Sequence, residues 1–292
     1  MIPSTFEYAR ATSIDDALTK LAAAGGTGKL IAGGHSLVPM MKLRLNEPTT
    51  LIDIARISDL SGIREDGNII EVGAATVHHD VATSALLRDK CPIVADTAGM
   101  IGDPQVRNRG TLGGSLAHAD PAADYPATLL AVDAQIQIQG PGGTREVPAA
   151  DFFQGLFTVD LANNELITAV RFAPVQVAAY AKLYQRASRF AIVGVAAALE
   201  ISEGSILRKR TIKCARVGLT GAVSHAVRLD GVEKALEGQP ATGEAVAKAA
   251  QGAGADLDGI NDDIHASEAY RRAMIQIFSV RALRGALARI ST

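Results

Sequence analysis

The N-terminal pattern of hydrophobic and polar positions predicts an amphipathic helix, a short strand and a glycine pair. Ser13 occupies a helix-cap position with Asp16 three residues later, and Gly25 and Gly26 end the helical spacing. The apolar residues on one face of this helix are Ile14, Ala17, Leu18, Leu21 and Ala22. Residues 29–32 form a predicted strand that runs directly into Gly33-Gly34-His35-Ser36. This order places a glycine loop at the end of a strand.

Apolar runs and alternating positions predict further strands and helices along the chain. The predicted strands are residues 51–54, 69–74, 134–139, 166–172, 180–184 and 210–219. The predicted helices are residues 77–87, 92–100, 230–236, 243–250 and 267–290. Residues 134–139 alternate strictly, and Gly140-Pro141-Gly142-Gly143 turns them into a predicted hairpin. The apolar run 191–199 fits either a buried strand or a buried helix.

Two segments carry patterns with a structural or functional meaning of their own. Residues 101–124 are rich in Gly, Pro, Asp and Asn and lack clear periodicity. Such a long ordered loop in a compact domain is usually functional. The final predicted helix has one face formed by Tyr270, Ala273, Met274, Ile277 and Phe278. We expect this stripe to pack into the core.

Composition and charge narrow the class of protein. The 292 residues are 48% hydrophobic and 21% charged, with a formal net charge of -2, so no global basic field attracts nucleic acid. The one basic cluster, Arg208-Lys209-Arg210, is expected to be a solvated hairpin. Cys91 and Cys214 favour neither a disulfide framework nor an iron–sulfur cluster, which normally needs four cysteines. With no signal peptide and no apolar run of about 20 residues, we expect a soluble cytoplasmic protein without a membrane span.

Two glycine pairs with neighbouring hydroxyl residues have the chemistry of a diphosphate-binding loop. The first glycine loop comprises Ala32, Gly33, Gly34, His35 and Ser36, and the second comprises Thr111, Leu112, Gly113, Gly114 and Ser115. Glycine lets the backbone approach an anion closely, and consecutive N–H groups in such turns form an anion-binding nest. One pair alone is common in ordinary turns, whereas two pairs with flanking hydroxyls favour a dinucleotide.

Two common nucleotide motifs are missing from the chain. No Gly-x-Gly-x-x-Gly follows a predicted strand, so the Rossmann fingerprint is absent. The stretch Gly26-Thr27-Gly28-Lys29 resembles a phosphate loop only briefly. Leu30 replaces the required Ser or Thr, and Ala23 stands where the first glycine is required. This stretch is better explained as a turn from helix to strand.

The residues around both loops resemble the FAD-binding medium subunits of molybdenum hydroxylases. The resemblance is carried by AGGHSLVPMMKLRL at residues 32–45 and DPQVRNRGTLGGSLAHADPAAD at residues 103–124. It is closest to the medium subunit type of aerobic carbon monoxide dehydrogenase and N-heterocycle dehydrogenases, and more distant from the flavin domain of xanthine dehydrogenase. It covers essentially the whole chain. It implies an α+β fold, with a two-lobed FAD-binding domain of the vanillyl-alcohol oxidase/PCMH type and a C-terminal α+β domain. The implied domains are residues 1–175, with lobes at about 1–55 and 56–175, and residues 176–292.

The resemblance also implies which residues bind FAD. Both loops hold the diphosphate, through Ala32, Gly33, Gly34, His35, Ser36, Thr111, Gly113, Gly114 and Ser115. Ser115 stands where relatives often have Asn, and its hydroxyl can still donate. Asp124 corresponds to an aspartate at the ribityl and diphosphate region, with a cap for a helix at 125–130 as the alternative. Lys182 corresponds to a lysine near the flavin or is an ordinary exposed lysine. Phe190 packs beside the isoalloxazine ring or is a plain core residue.

Other polar residues near these motifs have structural explanations. The neighbours His78, His79 and Asp80 point to different sides of a helix, so we expect a helix start and no metal site. His118 and Asp120 are candidates for a polar contact at the flavin edge. Arg107 and Asn108 are expected to brace the second loop. No Ser-His-Asp or Cys-His spacing favours nucleophilic catalysis, so we expect no catalytic residue in this chain.

The resemblance implies an electron-transfer subunit of an oxidoreductase. A large subunit with a molybdenum cofactor oxidises the substrate, and a small subunit relays electrons through 2Fe-2S clusters. The FAD of this chain then passes the electrons to an external acceptor, and the assembly is a dimer of heterotrimers. Carbon monoxide, nicotine-like rings, purines and aldehydes all stay open as substrates. The alternatives are a stand-alone FAD-dependent reductase using NADH or NADPH and a non-catalytic assembly module without FAD.

Overall fold

The first of three consecutive units is a small parallel sheet with two helices. A computed structural model describes residues 2–203 and 210–290 of the chain. The elements of this unit are β1 (Glu7–Arg10), α1 (Ile14–Ala23), β2 (Gly28–Ile31), α2 (Leu37–Lys42) and β3 (Thr50–Asp53). The strands pair in parallel in the order β1-β3-β2. The cap predicted for α1 is confirmed, since the Ser13 hydroxyl accepts a hydrogen bond from the Asp16 N–H at 3.1 Å.

The second unit is an antiparallel five-stranded sheet covered by short helices. Its strands are β4 (Ile63–Asp66), β5 (Ile69–Gly73), β6 (Gln135–Gly140), β7 (Gly143–Pro148), β8 (Phe153–Gly155), β9 (Thr158–Val159) and β10 (Leu166–Phe172). Its helices are α3 (His78–Thr83), α4 (Ala85–Lys90), α5 (Pro92–Met100), α6 (Pro104–Arg107), α7 (Leu112–His118), α8 (Tyr125–Ala131) and α9 (Ala149–Phe152). The sheet order is β4-β5-β10-β6-β7, and β8 pairs with β9 separately. The predicted hairpin is confirmed, with β6 alternating between buried and half-buried residues.

The third unit is an antiparallel sheet followed by helices. Its elements are β11 (Ala178–Tyr184), β12 (Ala191–Ile201), β13 (Ile212–Thr220), β14 (Val227–Arg228), α10 (Asp230–Leu236), α11 (Gly243–Ala249) and α12 (Glu268–Leu287). The sheet order is β11-β12-β13-β14. The predicted α+β fold class is therefore confirmed.

The sheet of the third unit is buried on both faces. Ala196 and Ala198 of β12 belong to the core cluster of the second unit, which includes residues of α5 and α8. Val193, Val195 and Ala197 belong instead to the cluster that includes the buried face of α12. Burial on both sides explains why residues 191–199 are continuously apolar, and it decides between the two predictions in favour of a strand.

A seam of hydrogen bonds joins the third unit to residues 121–123, just before α8. The Thr220 hydroxyl lies 2.9 Å from the carbonyl oxygen of Pro121 and 2.7 Å from that of Ala123. The Gly221 N–H donates to the same Pro121 carbonyl at 2.8 Å, and the Ala191 N–H donates to the carbonyl of residue 122 at 3.1 Å. A Cβ on Gly218 would overlap the carbonyl oxygen of residue 127. The end of the segment 101–124 is thus fixed by the third unit.

Two predictions for residues 77–124 are wrong in detail. The predicted helix 77–87 is two helices, because Ser84 leaves the helical conformation and its hydroxyl caps α4 by accepting from the Leu87 N–H at 3.3 Å. The aperiodic residues 101–124 contain α6 and α7, which are too short to show a helical period. The Asp103 carboxylate caps α6 by accepting from the Val106 N–H at 2.9 Å.

The predicted core stripe of the final helix is wrong for Tyr270, Ala273 and Ile277, which are exposed, whereas Met274 and Phe278 do pack at the core. Tyr270 is 47% exposed and Ile277 is 41% exposed, and of that stripe only Phe278 is buried. The buried face of α12 comprises Arg271, Ile275, Phe278, Ser279, Ala282, Leu283 and Ala286. Arg271 is buried because its guanidinium donates to the carbonyls of Ile192 and Gly221. Because Arg271 and Ser279 are polar yet buried, the apolar residues alone did not show which face of α12 packs into the core.

The remaining sequence expectations concern membranes, thiols and the basic cluster. No helix among residues 2–203 and 210–290 is both long and apolar enough to cross a membrane. Cys91 and Cys214 are free, as expected. Arg208 and Lys209 of the basic cluster lie outside the described residues.

Candidate functional site

A cleft of about 610 Å³ opens where the three units meet. It brings together most of the sequence-predicted site residues, namely Ala32, Gly33, Gly34, His35, Ser36, Thr111, Gly114, Ser115, Asp124 and Phe190. Gly113 and Lys182 are not among the lining residues. The cleft is large enough to bury most of an elongated cofactor.

The first glycine loop contributes a row of unused donors to this cleft. It follows β2 directly and enters α2, so the end of a parallel strand holds it in place. Within the described part of the chain, the backbone N–H groups of Gly33, Gly34, His35 and Ser36 have no hydrogen-bond partner. Gly34 has a φ of +73°, which glycine adopts without strain. Four consecutive free N–H groups match what a diphosphate requires.

The first loop is packed against the backbone that leads into the second loop. A Cβ on Gly33 would overlap the carbonyl oxygen of Arg109 and lie 2.9 Å from the Cα of Gly110. Only glycine permits this approach. The two glycine loops, far apart in sequence, therefore form adjacent walls of one cleft.

The second glycine loop is built differently from the first. Thr111 caps α7, since its hydroxyl accepts from the Gly114 N–H at 3.1 Å. The Leu112 N–H donates to the carbonyl of Thr76 and the Gly113 N–H to that of Ala74. A Cβ on Gly113 would lie 2.5 Å from the Cβ of Ala74, so this glycine serves packing.

The second loop therefore offers the cleft fewer donors than its sequence indicates. The Ser115 N–H donates to the carbonyl of Thr111, as expected within a helix. The Ser115 hydroxyl has no partner among the described residues and lines the cleft. Gly114 is exposed at the same surface. Cofactor binding by this loop remains a prediction, carried by the Ser115 hydroxyl and the exposed surface of Gly114.

Asp124 is a buried carboxylate at the floor of the cleft. It is 4% exposed, and its oxygens accept from the Tyr180 hydroxyl at 2.5 Å and the Lys182 ammonium at 2.7 Å. Both partners lie on β11, two residues apart, so they project from the same face of that strand. Asp124 occupies the N-cap position of α8, as the helix-cap alternative predicted, but its carboxylate makes no capping hydrogen bond. The exposed-lysine alternative is wrong, since the Lys182 side chain is only 2% exposed.

Burial dominates the electrostatics of this cluster. It raises the pKa of Asp124, whereas the Lys182 charge and the hydrogen bonds from Lys182 and Tyr180 lower it by smaller amounts. Burial also raises the pKa of Tyr180, so its phenol stays protonated and donates to the carboxylate. The ammonium of Lys182 further donates to the Met100 carbonyl at 3.2 Å. Lys182 thus does not line the cleft itself and contacts Asp124, which does.

Gly194 makes room for the Tyr180 hydroxyl, and this leads to a stability prediction. A Cβ at position 194 would overlap that hydroxyl and lie 2.8 Å from the Thr220 Cγ2. Gly194→Ala is expected to cost about 1–3 kcal/mol, because it overpacks a filled site. Chemical denaturation measures the cost. In a Tyr180→Phe background the same change should cost less, and an equal cost in both backgrounds would contradict the steric explanation.

Phe190 lies at the cleft mouth, on the hairpin between β11 and β12. It is 45% exposed, so the core-residue alternative is wrong. The Gln185 N–H donates to the Phe190 carbonyl at 2.9 Å, and the Gln185 carbonyl accepts from the Arg189 N–H at 2.8 Å. Arg189 has a φ of +62° and lines the same mouth. The hairpin can therefore present an aromatic ring to a bound group.

The structure adds cleft residues that the sequence did not identify. His78 is 5% exposed and lines the cleft beneath Gly110. Phe157 also lines it, with its ring 5.2 Å from that of His118. The position of His78 depends on a long-range bridge between Val77 and Thr111, and that of Phe157 on the contact of the turn between β8 and β9 with the cleft. No local spacing in the sequence could have shown this.

The structure also places the other polar residues considered in the sequence. Arg107 donates to the carbonyls of Ile101 and Gly102, and Asn108 donates to that of Pro104, so both brace this segment. His118 and Asp120 line the cleft, as their sequence position suggested. His78 begins α3. Among the described residues, no group of three or more His, Cys, Asp or Glu is placed to hold a metal ion.

Comparison with known families covers nearly the whole chain. Residues 4–175 match the FAD binding domain in molybdopterin dehydrogenase. Residues 178–286 match the CO dehydrogenase flavoprotein C-terminal domain. The first match includes both glycine loops, and the second includes the strand that carries Tyr180 and Lys182.

Similar proteins are subunits of dehydrogenases. The carbon monoxide dehydrogenase medium chain of Hydrogenophaga pseudoflava is 40% identical over 292 residues, covering 99% of both chains. Subunit alpha of the 6-hydroxypseudooxynicotine dehydrogenase complex of Paenarthrobacter nicotinovorans is 36% identical, covering 99% of this chain and 97% of that one. In the solved carbon monoxide dehydrogenase of H. pseudoflava, a chain superposes with a TM-score of 0.93 at 40% identity, with 100% of both chains covered.

Proposed function

The chain belongs to the FAD-binding medium subunits of the molybdenum hydroxylase family, and we propose that it passes electrons from a partner's 2Fe-2S clusters through FAD to an external acceptor. The observation that carries this proposal is the row of free N–H groups at Gly33, Gly34, His35 and Ser36, facing a cleft inside an FAD-binding domain. Bound FAD can accept electrons singly and release them in pairs. The residues of this chain position it and set its surroundings.

The cleft residues fit the parts of FAD. The N–H groups of the first loop and the Ser115 hydroxyl would hold the diphosphate, since both are donors without partners. Asp124 would accept from hydroxyl groups of the ribityl chain, with Lys182 as a positioning residue behind it. Phe190 would pack against the flavin ring at the mouth. No catalytic acid or base is needed, because this chain neither binds nor activates the substrate.

We infer the partner subunits from the small number of cysteines in this chain and from the names of its relatives. Two cysteines cannot ligate a 2Fe-2S cluster with four thiolates, so the clusters belong on a small subunit. We place substrate oxidation on a large subunit with a molybdenum cofactor. We further propose a dimer of heterotrimers in the cytoplasm. Relatives are named for carbon monoxide, 6-hydroxypseudooxynicotine and glyceraldehyde, which fits a substrate site outside this chain.

Reconstitution of the complex tests the proposed electron path. The isolated chain should bind FAD and stay oxidised when substrate and the large subunit are added. Adding the small subunit should then allow the substrate to bleach the flavin absorbance. Bleaching without the small subunit would contradict the proposed route.

The same preparation separates the two alternative functions. Rapid reduction of the isolated chain by NADH or NADPH would favour a stand-alone reductase. A colourless chain that does not take up added FAD would favour an assembly module. The free donors of the first loop argue against the assembly module.

A further inference from the structure

The buried imidazole of His78 has one free nitrogen at the junction of the two glycine loops. The backbone N–H of His78 donates to the Gly110 carbonyl at 2.9 Å. This bond fixes the start of α3 against the segment preceding the second loop. His78 is only 5% exposed, yet it lines the cleft. Its position is therefore determined by backbone pairing.

One ring nitrogen of His78 is already engaged. The Nδ1 atom lies 3.2 Å from the hydroxyl of Tyr125. Burial and the nearby charge of Asp124 raise the pKa of Tyr125 well above its usual value, so the phenol keeps its proton. Among the described residues, Nδ1 is the only acceptor within hydrogen-bond distance of that hydroxyl. Tyr125 thus donates to Nδ1, and the ring proton of neutral His78 resides on Nε2.

The other nitrogen faces the place where the loops meet. A Cβ built on Gly110 would lie 2.6 Å from the His78 Nε2, and a Cβ built on Gly33 would lie 2.9 Å from the Gly110 Cα. Gly110 therefore lies against both the imidazole and the first loop, and it has no side chain to fill the space beside them. Nε2 has no hydrogen-bond partner within residues 2–203 and 210–290. Gly110 is thus close both to this unpartnered nitrogen and to Gly33, whose N–H is free, and His78 lines the same cleft.

We propose that the Nε2–H of His78 donates a hydrogen bond to the diphosphate of the bound cofactor, between the two glycine loops. This inference rests on the proposed FAD function. Tyr125 acts through His78 as a positioning residue, because its hydroxyl selects the tautomer that carries the proton on Nε2. The site thus uses a neutral side-chain donor in addition to its backbone donors.

The neutrality of His78 fits this role. Burial, with smaller contributions from the positive charges of His35 and Arg107, lowers the pKa of His78 to about 4. At neutral pH the imidazole is therefore an uncharged donor. It needs no buried counter-ion before the cofactor binds, and it does not repel the neighbouring cations.

Variants at position 78 test the proposal through cofactor affinity. His78→Leu removes the donor, and FAD should dissociate about 10- to 100-fold more readily, as for a lost hydrogen bond to a charged group. His78→Gln retains an N–H near the Nε2 position and should lose clearly less. His79 is adjacent but exposed, so His79→Leu is a matched control that should leave the affinity unchanged. Flavin fluorescence quenching of the full chain measures each dissociation constant.

Further probes separate this role from a structural one. Because the contact is to phosphate, ADP affinity should fall in His78→Leu by a factor similar to that for FAD, whereas riboflavin affinity should not change. Tyr125→Phe should weaken FAD binding by a smaller factor. Equal losses for riboflavin and ADP would overturn the proposal, and so would wild-type FAD affinity in a folded His78→Leu variant.

Spectroscopy of the unmodified chain covers the case in which His78→Leu does not fold. The ¹⁵N spectrum should show a neutral His78 protonated on Nε2, with the Nε2–H proton moving downfield when FAD is added. An Nδ1–H tautomer, or an Nε2–H signal that FAD leaves unmoved, would overturn the inference. If the wild-type chain binds no FAD, the proposed function itself fails, which is a distinct result.

Discussion

Gly33→Ala is expected to weaken FAD binding at least 100-fold, the largest effect of any single methyl group in the cleft. The added Cβ would overlap the carbonyl oxygen of Arg109 and approach its carbonyl carbon at 2.7 Å. These are backbone atoms, so no side-chain rotation can relieve the overlap. The first loop would have to move away from the second, and its four N–H groups would no longer converge on one diphosphate. The factor corresponds to losing about two charge-assisted hydrogen bonds.

A glycine without neighbours provides the control for this prediction. Gly142, in the turn between β6 and β7, has nothing within 4 Å of a built Cβ, so Gly142→Ala should leave FAD affinity unchanged. Titration of the purified apoprotein with FAD, followed by fluorescence, measures both variants. Gly33→Ala with wild-type affinity and wild-type stability would show that the loops do not need this close approach.

Lys182→Met is expected to destabilise the protein by about 3–5 kcal/mol at neutral pH, because it leaves the buried Asp124 carboxylate without its counter-ion. The side chains of both residues are almost fully buried, so solvent cannot replace the lost charge. Urea denaturation measures the loss. The exposed pair of Lys213 and Glu200, 3.4 Å apart, supplies the control, and Lys213→Met should cost about 1 kcal/mol or less.

The deficit of Lys182→Met should depend on pH in a definite direction. Without the ammonium, burial raises the pKa of Asp124 further above its ordinary value of 3.8. The folded state then holds a proton that the unfolded state has released, so rising pH favours unfolding between the two pKa values. The deficit should therefore be smaller at about pH 5 than at about pH 8.

Neutralising the carboxylate should recover part of the loss. In the double variant Asp124→Asn with Lys182→Met, the amide oxygen still accepts from Tyr180 and carries no charge. This variant should be more stable than Lys182→Met at about pH 8 and should lose most of the pH dependence. A Lys182→Met deficit that is small and independent of pH would mean that the ion pair does not govern this part of the fold.

Local patterns in the sequence are sufficient to predict most of the helices and strands. The Ser13 cap and the Asp16 N–H fixed the start of α1, because a cap involves only neighbouring residues. The alternation of β6 matched its buried and half-buried faces. Prediction failed where contacts distant in sequence decide the outcome. The buried face of α12 includes Arg271, whose guanidinium is satisfied by carbonyls 79 and 50 residues away.

The candidate site shows the same division. Glycine pairs with hydroxyl neighbours identified both loops, and the family resemblance identified Asp124 and Phe190, which line the cleft. The sequence could not show that Gly113 packs on Ala74 while Gly33 packs on Arg109, because identical residues serve different contacts. Nor could it show that Lys182 pairs with Asp124, or that His78 lies between the loops.

The seam between the third unit and residues 121–123 limits how such subunits can be recombined. The hydroxyl of Thr220 and the N–H groups of Ala191 and Gly221 hold the segment that ends at Asp124. In a chimera that joins residues 1–175 of this chain to the C-terminal part of a relative, the segment before Asp124 would be held by hydrogen bonds from the relative's residues. The cleft could then change shape even though its own residues are unchanged. A chimera should therefore take the residues on both sides of the seam from the same parent, although they lie about 70–100 residues apart in the sequence.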